Sequence, residues 1–396
     1  MVADKDLYKS LDFLKNNFKN YYLNNDIELP DRFTRREFAF VFFGGRGMYR
    51  HVGFEKKSDV FSFISDRAPC HAYYSSAYYK FPDASVMDDK DWMGAELIFD
   101  LDSDHLPNAD ALSYSEQLDL VKDEFVKLVF DFLLDDFGFD KRNIFLYFSG
   151  GRGYHCHVKD PNVLDLDSNE RREIVDYITG LDINDSFIFH DKATGKMDLG
   201  NRSVASGKSL VMPKPDDPGW KGRISRGIIE IISDIKDDPD PIEKLKGYGV
   251  KKSDAERLLD DLSEGRINRI KQGKIDQSKT IRKFFLNNAL RKTAVSIQAG
   301  ETDVPVTCDV KRLIRLPGSL HGKTGFQVKK ISIDKLDDFE PLDDCIVFDD
   351  GPVKISSEVD FELEIKGNNY KVEKGVSMVP KFLAVFLVAR KMANIF

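Results

Sequence analysis

The chain has 396 residues, 41% hydrophobic and 32% charged. That is enough to bury a core under a highly charged surface, and it excludes global disorder, collagen and coiled-coil rods. The formal net charge of −8 excludes a uniformly basic nucleic-acid coat but not local basic patches. At about 150 residues per domain, two to three domains are predicted, and one large α/β domain with insertions also fits. The longest apolar run, Phe382 to Ala389, is too short to span a bilayer, so no membrane association is expected. Residues 1–17 carry early acids and no apolar stretch, unlike a signal peptide. Four isolated cysteines, with no CxxC pair, argue against a disulfide framework and fit a reducing cytoplasm.

Residues 4–23 carry Leu7, Leu11, Leu14, Phe18 and Tyr21 at helical spacing, which predicts an amphipathic helix. Residues 37–43 and 96–102 read as strands, and 116–136 as one long helix with Leu118, Val121, Phe125, Leu128 and Phe132 on one side. A third strand, 144–148, runs straight into the loop SGGRGYH. Composition shifts near residue 213, where PKPDDPGWKG marks a loop, and again at DDPDP, 237–241. Residues 242–292 look helical and polar. Within 265–292 there are nine Lys or Arg against one acid. This predicts an α/β body over 1–235 and 295–396 and a helical, basic insertion over 236–294. The basic patch is a candidate surface for tracking a nucleic-acid backbone, or an ordinary solvated helix. β character returns at 304–333, an acidic stretch follows at 334–350, and a short helix is predicted at 378–393.

Three blocks carry chemistry. In a strand, Asp100 and Asp102 share one face. Paired carboxylates repel each other unless a divalent cation such as Mg²⁺ bridges them and a substrate's phosphates; a strand end with solvated acids is the plain alternative. The second block is Ser149-Gly150-Gly151-Arg152-Gly153-Tyr154-His155. Its glycines let backbone N–H groups approach an anion, Arg152 offers a bidentate phosphate donor, and Ser149 and His155 add further polar groups. It matches neither the P-loop nor the dinucleotide spacing, and a plain turn with a surface arginine fits too. His155 and His157 would share a face if the chain re-enters a strand. The third block runs from Asp303 through Lys311, Arg312 and Arg315 to a turn with His321 and Lys323. Together these are the parts of metal-dependent phosphoryl transfer.

With FDLD at 99–102, SGGRGYH at 149–155 and RLIRLPGSLHGKTG at 312–325, the chain resembles the catalytic small subunit of archaeal-eukaryotic DNA primases, most closely the archaeal branch. The likeness spans about residues 1–390. It implies a mixed α/β (α+β) fold whose sheet bears the acids. It implies catalytic, metal-holding carboxylates at Asp100, Asp102 and Asp303, with Asp309 the competing third acid. Nucleotide contacts carry over to Ser149, Gly150, Arg152, His155, Arg315 and His321, and to Arg50 near the first basic segment. Two Mg²⁺ or Mn²⁺ ions are the implied cofactors. Many archaeal relatives have a zinc knuckle after the acid pair, but residues 103–125 here hold only His105 and no cysteine, so no structural zinc is expected there. The resemblance implies RNA primer synthesis from ribonucleoside triphosphates on single-stranded DNA, in a heterodimer with a large subunit that carries an iron–sulfur cluster. A repair-type polymerase that extends ends would share these motifs. A non-catalytic nucleic-acid-binding subunit would be expected to have lost the acids. A metal phosphohydrolase would be expected to add histidine ligands, and none of the seven histidines shows HxxxH spacing.

Overall fold

The computed structural model describes residues 2–103, 112–193, 196–198, 203–205, 208–274, 279–295 and 306–396. Helices and antiparallel strands interleave, giving the mixed α/β architecture. The chain divides into two compact units. The first comprises 1–134, 138–175 and 296–396, and the second 135–137 and 176–295.

The first unit opens with helix α1 (Val2–Asn24), which buries Leu14, Phe18, Tyr21 and Tyr22. Strands β1 (Phe38–Val41) and β2 (Tyr49–Val52) follow, then helix α2 (Lys57–Arg67) and strand β3 (His71–Ser75). A short pair, β4 (Ala77–Tyr79) and β5 (Trp92–Ala95), leads into β6 (Leu97–Asp102). Helix α3 (Tyr114–Lys127) starts at a capping box. Ser113 Oγ accepts the Glu116 N–H, and the Glu116 carboxylate accepts the Ser113 N–H. The single helix expected over 116–136 is not uniform, because from Leu128 to Asp136 it widens into a π-helix. The wider turn brings Leu128, Val129, Phe132 and Leu133 to buried positions. Strands β7 (Ile144–Phe148) and β8 (Gly153–Val158) complete the central hairpin.

Two antiparallel four-stranded sheets result. One has the order Leu313–Arg315, β3, β1, β2; the other has the order Lys329–Ile331, β7, β8, β6. Phe18, Phe38, Phe40, Tyr74, Ile98, Ile314 and Leu320 share one core cluster. The C-terminal helix Lys381–Ala389 is buried from Phe382 through Val388, so its apolar run is a core helix. No helix among the described residues is long and apolar enough to cross a membrane.

Buried charges join the sheets. Arg36, just before β1, is fully buried and pairs with fully buried Glu96, just before β6. The same guanidinium donates to the Ser75 carbonyl (2.8 Å) and the Tyr78 hydroxyl (2.9 Å). Glu96 also contacts His157 Nδ1 at 2.8 Å and Lys159 Nζ at 3.3 Å. Burial raises the Glu96 pKa, but Arg36 first, then His157 and Lys159, reverse this and hold the carboxyl well below its usual range.

In the second unit, helix Gly219–Asp237 buries Ile224, Ile228, Ile231, Ile232 and Ile235 and packs along helix Lys279–Thr293, Gly227 lying against Ala289 and Thr293. Three shorter helices, Pro241–Gly247, Lys252–Asp261 and Glu264–Lys271, lie between them in sequence. The contacts therefore begin this unit at 176, not at 236. The DDPDP segment is a bend between two helices of one unit, because the isoleucine stripe before it belongs to the same core. Within the basic patch, Lys292 is paired with Glu230 (3.2 Å) and Asp234 (2.9 Å), while Arg269, Lys271, Lys283 and Arg291 are exposed.

Removing one partner from a buried ion pair strands the other charge. Arg36→Met should therefore cost about 3–5 kcal/mol in urea denaturation. The double variant Arg36→Met/Glu96→Leu should lose less than the sum of its single variants.

Candidate functional site

β6 carries the acid pair as alternation requires. Asp100 and Asp102 are half-buried on one face, while Leu97, Phe99 and Leu101 are buried. In the β6–β8 register, Asp100 lies opposite His155 and Asp102 opposite Gly153. The cross-strand pair is closed by His155 Nε2 and Asp100 Oδ1 at 3.2 Å. Burial pushes the Asp100 carboxyl up, but His155, then Arg312 and Arg315, outweigh it, and the net shift is downward. The carboxylate is thus ionised beside a cationic neighbourhood.

The loop after β7 is braced from within. Ser149 Oγ accepts the N–H groups of Gly151 (3.2 Å) and Gly153 (3.3 Å). Gly150 has φ +77°, and a Cβ there would lie 2.7 Å from His321 Cβ. The loop therefore seats directly on the turn that carries His321. Thr324 Oγ1 donates to the Gly150 carbonyl (2.5 Å), and the Tyr114 hydroxyl, at the start of α3, donates to the Gly151 carbonyl (2.5 Å).

Arg315 ends the strand Leu313–Arg315, beside β3. Its Nη1 donates to His71 Nδ1 at 2.7 Å, and the Gly322 N–H donates to the same nitrogen at 3.2 Å. Two donors on Nδ1 require the neutral His71 tautomer with its proton on Nε2. Burial, then Arg315 and Lys323, lower the His71 pKa to about 3. His321 is buried edge-on to His71 at 4.9 Å between ring centroids. Burial, then Arg315, hold its pKa well below 6.5. It therefore offers a neutral N–H, not the charge-assisted donor that a histidinium would supply.

These elements border a solvent-open cavity of about 440 Å³. Arg152, Arg315, Lys323, Arg390 and Lys391 line it, and Asp102 is the one carboxylate among the described lining residues. Five cations around one acid make an anion site with a carboxylate at its wall. Of the residues singled out in the sequence, Asp102, Arg152, Arg315, His321 and Lys323 meet in this cavity. Ser149 and Gly150 shape the loop beside it, and His155 acts on Asp100.

Arg50 is not among the lining residues. Its guanidinium pairs with buried Glu37 (Nε to Oε1, 3.0 Å), which also accepts the His51 N–H (3.1 Å). The alternative acid Asp309 caps a turn by accepting the Lys311 N–H (2.9 Å). Asp303 and His105 lie outside the described residues. Among the described residues, no three His, Cys, Asp or Glu side chains converge as a metal site. Sequence reasoning missed His71, Tyr114, Arg390 and Lys391. None of them stands in a patterned motif, and all reach the site only through tertiary packing.

A family model described as DNA primase small subunit matches residues 99–333, from the acid pair to just past the His321 turn. DNA primase small subunit PriS of Methanosarcina acetivorans is 39% identical, over 98% of this chain and 97% of its own length. The corresponding protein of Methanococcoides burtonii is 41% identical, over 96% and 97%. That of Halorubrum lacusprofundi is 36% identical, over 96% and 97%. By this match across nearly its full length, the chain belongs to the DNA primase small subunit family.

Proposed function

We propose that this chain is the nucleotidyl-transferring subunit of a DNA primase, making short RNA primers from ribonucleoside triphosphates on single-stranded DNA, in the cytoplasm and in partnership with a large subunit. The observation that carries this reading is the cation-lined cavity walled by Asp102 and adjoining Asp100. A triphosphate matches such a cavity in charge, and the acid pair fits hard divalent cations, which take one or two carboxylates and complete their shell with phosphates and water. Asp100 and Asp102 would hold Mg²⁺ or Mn²⁺, two ions in all, with Asp303 as the third ligand. When bound, such ions lower the pKa of the attacking 3′-hydroxyl and neutralise the departing pyrophosphate.

The chain's own residues do the rest. His155 orients the Asp100 carboxylate through its Nε2 contact. Arg152 and Arg315 supply planar, bidentate donors for phosphate oxygens. His71 holds one Arg315 nitrogen and so aims the guanidinium. Ser149 occupies two loop N–H groups and fixes the curvature that presents Arg152.

The double variant Asp100→Asn/Asp102→Asn should cut primer synthesis on a poly-pyrimidine template at least about a hundredfold. Wild-type yield from that variant rejects the assignment. The histidines make a separate prediction about acid stability. Between the unfolded pKa of about 6.5 and the folded value of about 3 for His71, the unfolded chain takes up a proton that the fold refuses. Stability contributed by the neutral ring is complete above about pH 7 and falls as pH drops towards 3. His71→Gln should flatten the drop in thermal midpoint between pH 7 and pH 4 and raise the KM for nucleotide. An unchanged pH dependence contradicts the buried, neutral ring.

A further inference from the structure

We infer that Arg390 and Lys391, at the end of the C-terminal helix, are polyphosphate-binding residues of the cavity and complete a clamp whose other side is Arg152 and Arg315. This rests on the proposed reading of that cavity as a nucleoside triphosphate site.

Both residues line the cavity, and neither side chain has a hydrogen-bond acceptor or carboxylate partner among the described residues. The Arg390 guanidinium lies over the ring of Tyr114 (5.2 Å) and against that of Phe386 (5.1 Å). A cation–π contact takes up no hydrogen-bond acceptor, so the N–H donors of Arg390 remain for an anion. Tyr114 is the residue whose hydroxyl holds the Gly151 carbonyl, so this contact ties Arg390 to the loop that carries Arg152.

Lys391 supplies an independent observation. The helix ends in a Schellman motif, with the Met392 N–H on the Leu387 carbonyl (2.9 Å) and the Lys391 N–H on the Val388 carbonyl (3.0 Å). Lys391 occupies the left-handed position at φ +61°, where glycine is the cheaper residue. A cation at a helix C-terminus is favoured by the helix dipole, which accounts for the sign of its charge. The dipole does not account for a strained lysine where glycine would close the same turn, nor for its placement in a cavity already rich in cations.

The test uses the full chain and inorganic tripolyphosphate, titrated by calorimetry, beside ribonucleotide KM and kcat in primer synthesis. Arg390→Met keeps the apolar stem and removes the donors; it should weaken tripolyphosphate binding about tenfold or more and raise KM more than it lowers kcat. Lys391→Gly should weaken binding severalfold while raising the thermal midpoint of the free protein by about 1–3 °C. A purely structural lysine would move both quantities the same way. Arg390→Lys should recover part of the lost affinity. Arg152→Gln serves as the reference. If it weakens binding while Arg390→Met and Lys391→Gly bind like wild type, the clamp is wrong and the site stands. If the wild-type chain binds no tripolyphosphate, the site itself falls, and the clamp with it.

Discussion

At one point β6 and β8 approach so closely that only a hydrogen atom fits between them. A Cβ on Gly153 would stand 2.2 Å from the Leu101 carbonyl oxygen. That contact locks the register in which Asp100 faces His155 and Asp102 faces Gly153. A slip of one residue would turn both carboxylates into the core and Leu101 outward. The acid pair, its histidine partner and the loop curving away from Gly153 all depend on this close approach. Behind it, the Arg36–Glu96 pair and His157 fix the second sheet to the first.

The site gathers like charge, and the fold limits the resulting repulsion. Five cations line one cavity with a single described carboxylate. His321 in the wall and His71, which holds Arg315 from behind, are kept neutral by burial and by the cations themselves. They contribute hydrogen-bonding capacity without adding to the positive charge. Arg315 is oriented by a neutral acceptor, not a carboxylate, so its full charge remains for a ligand.

What could be read in the sequence was what the backbone alone dictates. A strand's period of two put Asp100 and Asp102 on one face without any knowledge of neighbours. The glycines of the SGGRGYH loop were legible as special, but their reasons are tertiary. Gly150 makes room for His321 and Gly153 for the Leu101 carbonyl, while two of the loop's N–H groups are taken by Ser149. Arg50 reads as available for phosphate from its sequence neighbours alone, but its carboxylate partner, Glu37, lies thirteen residues away. The proline-rich bend at 237–241 looked like a border because turn chemistry is local, whereas the isoleucines that decide membership of a core act at a distance. Arg390 and Lys391 had no local signature at all, since only packing of the C-terminal helix brings them beside Arg152.

The turn carrying His321 meets that helix at a second glycine contact. A Cβ on Gly325 would fall 2.4 Å from Val385 Cγ1, so turn and helix share a surface with no slack. The final segment of the chain is therefore not an appendage that can be trimmed or freely retuned. A bulkier side chain at 325, or a shift of the helix by a fraction of an ångström, would be transmitted to the imidazole at the cavity wall. Side chains along the helix Lys381–Ala389 are consequently held to a shape set by a cavity wall built from residues far upstream.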